Sequence, residues 1–356
     1  MSGARAHKTT IDIMATTAFW QATEDWHTAG EPFRIVEHLP AGSLVQHLSV
    51  AEQRLHVLKT PEHPLDLLRQ SLCHEPRGHA DMYGGFITPA DDSGAHFGVL
   101  FWHKDGFSTA CGHGTIALGY WAIAHDIVQA DADGSVDVVI DVPSGRVIAR
   151  ASCRNSQVQH IDFVNVPSYQ VAKQVSVTVQ LGARSMQVEM DIGLGGAIYA
   201  CVDVKDLGLE VEPKNHQLFI DIQRQIKKQH ASYKYQDKYD IYGVCFFQHI
   251  SDSDITITQK NVVVFTDGQI DRSPCGSGTA ARVAVLLAQG KLSGTKLLRH
   301  YSILDTVFEA SIASLTDSPV DFPACVPSVR GSANLVGRMN FLIDPADPVY
   351  PGFVFR

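Results

Sequence analysis

Cys111-Gly112-His113-Gly114-Thr115 has a near copy at Cys275-Gly276-Ser277-Gly278-Thr279, one in each half of the chain. An apolar run follows each: TIALGYWAIAHDI (115–127) and GTAARVAVLLAQGKL (278–292). Each cysteine therefore stands where a helix is expected to begin. A helix start carries unpaired backbone N–H groups and the positive end of the helix dipole, and glycine lets a ligand come close to them. Such a turn binds anions, carboxylates included, and favours a cysteine as thiolate. Placed face to face, the two turns would grip one small carboxylate ligand between two sulfurs. A thiolate on one side of a carbon and a thiol on the other suits proton removal from one face and delivery to the opposite face, which inverts the centre. The proton next to an amino-acid carboxylate is poorly acidic, so the site must be dry and well hydrogen-bonded.

The neighbours of each cysteine complete the candidate site. Gly112 and His113 in the first turn, and Gly276 and Ser277 in the second, are expected to contact substrate. In DRSPCGSG (271–278), Asp271 is the expected partner of a substrate amine, and Arg272 reads as structural. A cysteine hydrolase, with Cys111 as nucleophile and His113 as base, leaves the second turn unexplained. DWHTAGEP (25–32) reads as a structural loop near the cleft. His74, Glu75, His79 and Asp81 cluster in CHEPRGHADMYGG (73–85), but their spacing fits no common zinc pattern. GLGGA (193–197) lacks a phosphate-loop lysine and dinucleotide-fingerprint spacing.

The elements that must position these turns alternate between strand and helix. EPFRIVEHLP (31–40), DMYGGFITP (81–89) and HFGVLFWH (96–103) read as strands, and 51–76 as helix interrupted at Pro61 and Pro64. A hairpin is expected at 136–151. The second half repeats the plan, with strands over 186–204, 240–250 and 261–266 and an amphipathic helix over 209–231. Strands are also expected at 338–344 and 352–356. Phe246, Phe247 and Tyr83 are the expected wall of the pocket.

The 356 residues are 45% hydrophobic and 19% charged, a globular composition long enough for two domains. A formal net charge of −9 disfavours nucleic-acid and anionic-membrane partners. Seven scattered cysteines without a CxxC pair disfavour a disulfide framework and fit a reducing, cytoplasmic setting. No apolar stretch reaches the ~20 residues of a membrane span, and a secretory signal core is lacking.

The sequence resembles the proline racemase family, which includes hydroxyproline epimerases and trans-3-hydroxy-L-proline dehydratases. The resemblance rests on DWHTAGEPFRIV (25–36), EPRGHADMYGGFITP (75–89), CGHGTIALG (111–119), DRSPCGSGTAAR (271–282) and GRMNFLIDPADPVYPGFVF (337–355). It implies an α/β fold of two pseudo-symmetric mixed domains, of the diaminopimelate epimerase-like type. Each has a buried central helix, and the active site lies in the cleft between them. The implied boundaries are a loose arm at 1–18, a first domain at 19–167 plus 338–356, and a second at 168–337. It further implies no cofactor and no metal, Cys111 and Cys275 as acid and base, and Gly112, His113, Asp271, Gly276 and Ser277 as substrate-binding residues. A homodimer fits the family. Dehydratases usually replace one cysteine by serine or threonine, so the intact pair favours racemisation or epimerisation of proline or hydroxyproline. DIYGVCFFQ (240–248) and the C-terminal tail are closer to the dehydratase branch, so trans-3-hydroxy-L-proline dehydration is the alternative.

Overall fold

Each cysteine turn occupies the same place in a repeated run of elements. The structure is a computed structural model, and it describes residues 17–231 and 240–355. Most of the expected N-terminal arm lies outside the described residues. In the first half, strand Glu31–Val36 pairs in parallel with Tyr83–Thr88, which pairs antiparallel with Phe97–His103. Phe97–His103 turns back on the short strand Gly106–Phe107, leads into helix Gly112–Ala124, and pairs in parallel with Ser135–Val142 beyond that helix. The second half follows the same order. Ile198–Asp203 is parallel to Gly243–Asp252, which is antiparallel to Thr256–Phe265. That strand turns back on Gln269–Ile270, leads into helix Gly276–Ala288, and pairs in parallel with Leu297–Tyr301.

A parallel pair needs a long crossover, and each cysteine-headed helix provides it. Both helices are apolar nearly all round, which only a buried helix tolerates. Ile116, Ala117, Leu118, Trp121 and Ala122 of the first are buried, as are Ala280, Ala281, Val283, Ala284, Val285 and Leu286 of the second. The chain returns at its end: strand Ala333–Ile343 lies antiparallel to Phe19–Thr28, pairing Trp20 with Leu342.

Several local expectations change. DWHTAGEP is a tight hairpin between strands Phe19–Thr28 and Glu31–Val36, turning at Ala29 and Gly30 (φ +97°). Its polar residues are buried because they face partners elsewhere, a pattern that reads as a loop in sequence. The amphipathic helix runs His216–Gln229, shorter than expected because a 3-10 turn at Pro213–Asn215 precedes it. Of the expected strand 352–356, the described residues 352–355 form none; Phe353 makes one bridge with Glu75.

Candidate active site

The two helix starts meet. A Cβ built on Gly112 would lie 2.5 Å from the Cα of Gly276, and one on Gly276 would lie 2.6 Å from the Cα of Gly112. Glycine at both positions lets the two positive helix ends point into one chamber. Cys111 and Cys275 are the N-caps. The sulfur of Cys111 accepts the N–H of Gly114 at 3.3 Å, and that of Cys275 accepts the N–H of Gly278 at 3.3 Å. Each sulfur thus takes the role usually filled by a serine or aspartate oxygen.

The two turns are not equivalent. Cys111 has an extended backbone, whereas Cys275 has φ +62°, a region costly to non-glycine residues by about 1–3 kcal/mol. A relay holds it there. Ser273 Oγ accepts the Cys275 N–H at 3.0 Å, and Asp271 Oδ1 accepts the Ser273 N–H at 2.8 Å and its hydroxyl at 2.7 Å. Ser273 escaped the sequence reading. The Asp-x-Ser-x-Cys spacing, which allows nested side-chain turns, is the signal that could have found it.

The DWHTAGEP hairpin braces both turns from behind. Thr28 Oγ1 donates to the His113 carbonyl at 2.8 Å, and the Pro32 carbonyl accepts from the His113 ring. Glu31 Oε2 accepts the Arg272 N–H at 2.8 Å, and Asp81 holds the Arg272 guanidinium at 2.9 Å. Arg272 is therefore structural, as expected, and bridges the two halves of the chain. In the 73–85 cluster, His74 meets the Lys104 carbonyl at 2.9 Å and Asp81 serves Arg272.

Cys111, Gly112, His113, Asp271, Cys275 and Ser277 line one chamber with Tyr83, Ala110, Tyr199, Tyr242 and Phe265. Gly276 lies behind them, at the helix contact. Ser277 Oγ is buried and finds no hydrogen-bond partner among the described residues. The chamber volume is about 20 Å³, room for about one water. Larger cavities of about 940 and 1080 Å³ lie outside it, the second sharing Tyr242 with the chamber. Chemistry rather than size marks the candidate site.

Of the expected wall residues, Tyr83 is in place. Phe246 is not: it points to the other face of its strand and packs on Phe219 at 5.0 Å. Phe247 lies too far along the strand, over the Arg282 guanidinium at 3.6 Å. Tyr199, Tyr242 and Phe265 form the wall instead.

Burial dominates the electrostatics. It pushes both thiols well above their ordinary range, and the Asp271 charge adds to this at each. The Gly114 and Gly278 N–H groups pull the other way without overcoming it. Desolvation outweighs the helix ends at both sulfurs. Burial also lowers His113 to about 3, so its ring is neutral. It raises Asp271 to about 6, leaving a carboxylate at neutral pH. His113 lies 3.5 Å from the Cys111 sulfur and Tyr199 Oη lies 4.0 Å from that of Cys275.

Two capped helices from a duplicated α/β unit, meeting at two thiols, define a class of mixed α/β protein with its candidate site between repeated halves. Comparison with known proteins agrees: the Proline racemase family model matches residues 24–354. The chain belongs to the proline racemase family. It is 38% identical over 341 residues to a trans-3-hydroxy-L-proline dehydratase of Bacillus cereus, covering 93% of this chain and 97% of that one. It is 32% identical over 339 residues to a proline racemase of Acetoanaerobium sticklandii, covering 92% and 96%. The fold matches a hydroxyproline epimerase of Agrobacterium vitis, solved with bound trans-4-hydroxy-L-proline. The TM-score is 0.83 at 24% identity, covering 94% of this chain and 96% of that one. No helix among the described residues is long and apolar enough to cross a membrane.

Proposed function

We propose that this protein is a cofactor-independent racemase or epimerase that inverts Cα of proline or a hydroxyproline between two cysteines. The observation that carries this is the meeting of two thiol-capped helix starts at one chamber, with Cys111 and Cys275 both lining it. The substrate carboxylate sits at the paired helix ends, where N–H groups and dipoles favour negative charge. Asp271 pairs with the ring ammonium, and Ser277 Oγ and His113 supply neutral hydrogen-bonding groups. One cysteine, as thiolate, takes the Cα proton; the other, as thiol, returns one to the opposite face. The positive helix ends stabilise the enolate-like charge that develops at the carboxylate. Because burial holds both thiols up, the thiolate is a minority species and a strong base. A chamber of about 20 Å³ must open to admit a ring, so the walls part during turnover.

A second reading has its own support: the 38% identical relative bears the name trans-3-hydroxy-L-proline dehydratase. There one thiolate removes the Cα proton and the 3-hydroxyl leaves, which calls for a base on one face. The second thiol, buried and hydrogen-bonded like the first, favours inversion. The test is incubation with L-proline, trans-4-hydroxy-L-proline and trans-3-hydroxy-L-proline in deuterated water. The proposal expects Cα deuterium with loss of optical purity. Pyrroline formation from the 3-hydroxy compound alone would contradict it.

A further inference from the structure

A second cluster with its own chemistry lies outside the chamber. Its centre is Arg282 of helix Gly276–Ala288, only 2% exposed. Its Nε donates to Gln259 Oε1 at 3.0 Å, and its guanidinium lies over the Phe247 ring at 3.6 Å. A guanidinium this deeply buried is normally matched by an anion. Among the described residues no carboxylate pairs with it; the thiol of Cys201 stands beside it instead. Arg282, Cys201, Gln259 and Phe247 all line the cavity of about 940 Å³. That cavity is also lined by the exposed Lys205, Asp206 and His249, so it reaches the surface and a small solute can enter. Cys201 has a second thiol at its side. Strands Ile198–Asp203 and Gly243–Asp252 are parallel neighbours, and their register sets Cys201 directly opposite Cys245. Alternation puts both on one face of the sheet, with Ala200, Val202, Val244 and Phe246 on the other. Opposed Cα atoms on adjacent strands lie about 4.8 Å apart, within the span of a disulfide.

We propose that Cys201 is an oxidation-sensitive cysteine, activated by Arg282 and resolved by Cys245, in a redox site separate from the chamber. Its oxidant is a small hydroperoxide, of which hydrogen peroxide is the simplest. The Cys201 thiolate attacks one peroxide oxygen and the O–O bond breaks. The departing hydroxide takes up the proton that Cys201 had released, leaving water and a sulfenic acid. The Cys245 sulfur then attacks the Cys201 sulfur; the S–O bond breaks, and the hydroxide leaves as water with the Cys245 proton. Two thiols and one hydrogen peroxide give one disulfide and two waters, a two-electron oxidation of the cysteines. The surroundings favour Cys201 as the attacking member. A hydrogen bond from Cys245, and then the Arg282 charge, draw its thiol below the ordinary value, against burial and the Asp191 carboxylate. Burial instead pushes Cys73 and Cys325 up to about 12. A thiol that ionises and is reached from solvent is the one that oxidises.

Peptide mass mapping after exposure to hydrogen peroxide at neutral pH reads each cysteine separately, with dimedone present to trap sulfenic acid. Cys201, counted as dimedone adduct plus disulfide, is expected to react about tenfold ahead of Cys73 and Cys325. Without dimedone, Cys201 and Cys245 are expected in one disulfide-linked peptide. In Cys245→Ser that link is lost and the Cys201 adduct rises. Arg282→Met is expected to slow oxidation of Cys201 about tenfold, the change in thiolate fraction for one pKa unit, and Arg282→Lys to recover part of the rate. Oxidation of Cys201 no faster than that of Cys73 and Cys325 overturns the inference, and so does a rate unchanged in Arg282→Met. Oxidation of Cys201 that never yields the linked peptide overturns the role of Cys245. If Arg282→Met does not fold, the comparison among the native cysteines still decides.

Discussion

Gly112 and Gly276 touch backbone to backbone, so closely that a Cβ on either would sit 2.5–2.6 Å from the other's Cα. This contact makes one site out of two turns. Gly276→Ala must push the helix ends apart. It is expected to cost about 1–3 kcal/mol by thermal or denaturant unfolding. Cα exchange should fall by about 100-fold, since the two sulfurs lose their mutual placement. Native exchange rates in a folded Gly276→Ala protein would contradict the close approach.

On the proposed reading, Asp271 sets the acid side of the pH profile. Burial holds its carboxyl up at about 6. Below that pH it is neutral and loses its attraction for the substrate ammonium; above it the charge is present. kcat/KM, which reports the free enzyme, should therefore fall as pH drops through about 6 and level off above it. The thiols, both raised by burial, add a further rise towards alkaline pH. Asp271→Asn should be slow throughout and lack the step near 6. A step that persists in that variant assigns it to another group.

Arg272 ties the halves through Glu31 and Asp81, two carboxyl groups almost wholly buried. Arg272→Met takes the Arg272 cation away from both. Breaking such a buried arrangement by removing one partner costs about 3–5 kcal/mol. Urea unfolding checks this, and a loss under 1 kcal/mol would show that the bridge is dispensable.

Thr28 reaches the His113 carbonyl at 2.8 Å from the far side of the site. Thr28→Val keeps the shape and removes the donor, leaving a buried carbonyl one bond short. About 1–3 kcal/mol of stability should be lost. Because His113 shifts with its backbone, kcat/KM should drop about tenfold. Unchanged kinetics with lowered stability would make the contact purely structural.

The parts of the candidate site that are local in sequence were legible. Cys111, Gly112, His113, Asp271, Cys275, Gly276 and Ser277 lie within two short turns, where spacing alone fixes their geometry. The duplicated order of strands could be read because each central helix is bounded by apolar strands. The ring-facing wall was not legible. Tyr83, Tyr199, Tyr242 and Phe265 come from four separate segments, and only tertiary pairing brings them together. Phe246 and Phe247 were misplaced because alternation along a strand, and distance along it, decide which aromatic reaches the chamber. DWHTAGEP reads as a loop because its buried Asp25, Thr28 and Glu31 find their partners only in the fold: Arg34 across the hairpin, and His113 and Arg272 from elsewhere in the chain. The raised thiols were also beyond the sequence, since burial depth cannot be read from a motif.

On the proposed reading, two cysteines act on opposite faces of Cα. Its most direct test is early-time deuterium placement in deuterated water, starting from a single L-enantiomer of proline or hydroxyproline. The inverted product is expected to carry deuterium at Cα from the first turnovers while recovered starting material keeps its protium, and Cys111→Ser and Cys275→Ser are each expected to abolish inversion. Deuterium appearing in the starting material ahead of inversion, protium carried over into the product, or inversion surviving in either serine variant would contradict it.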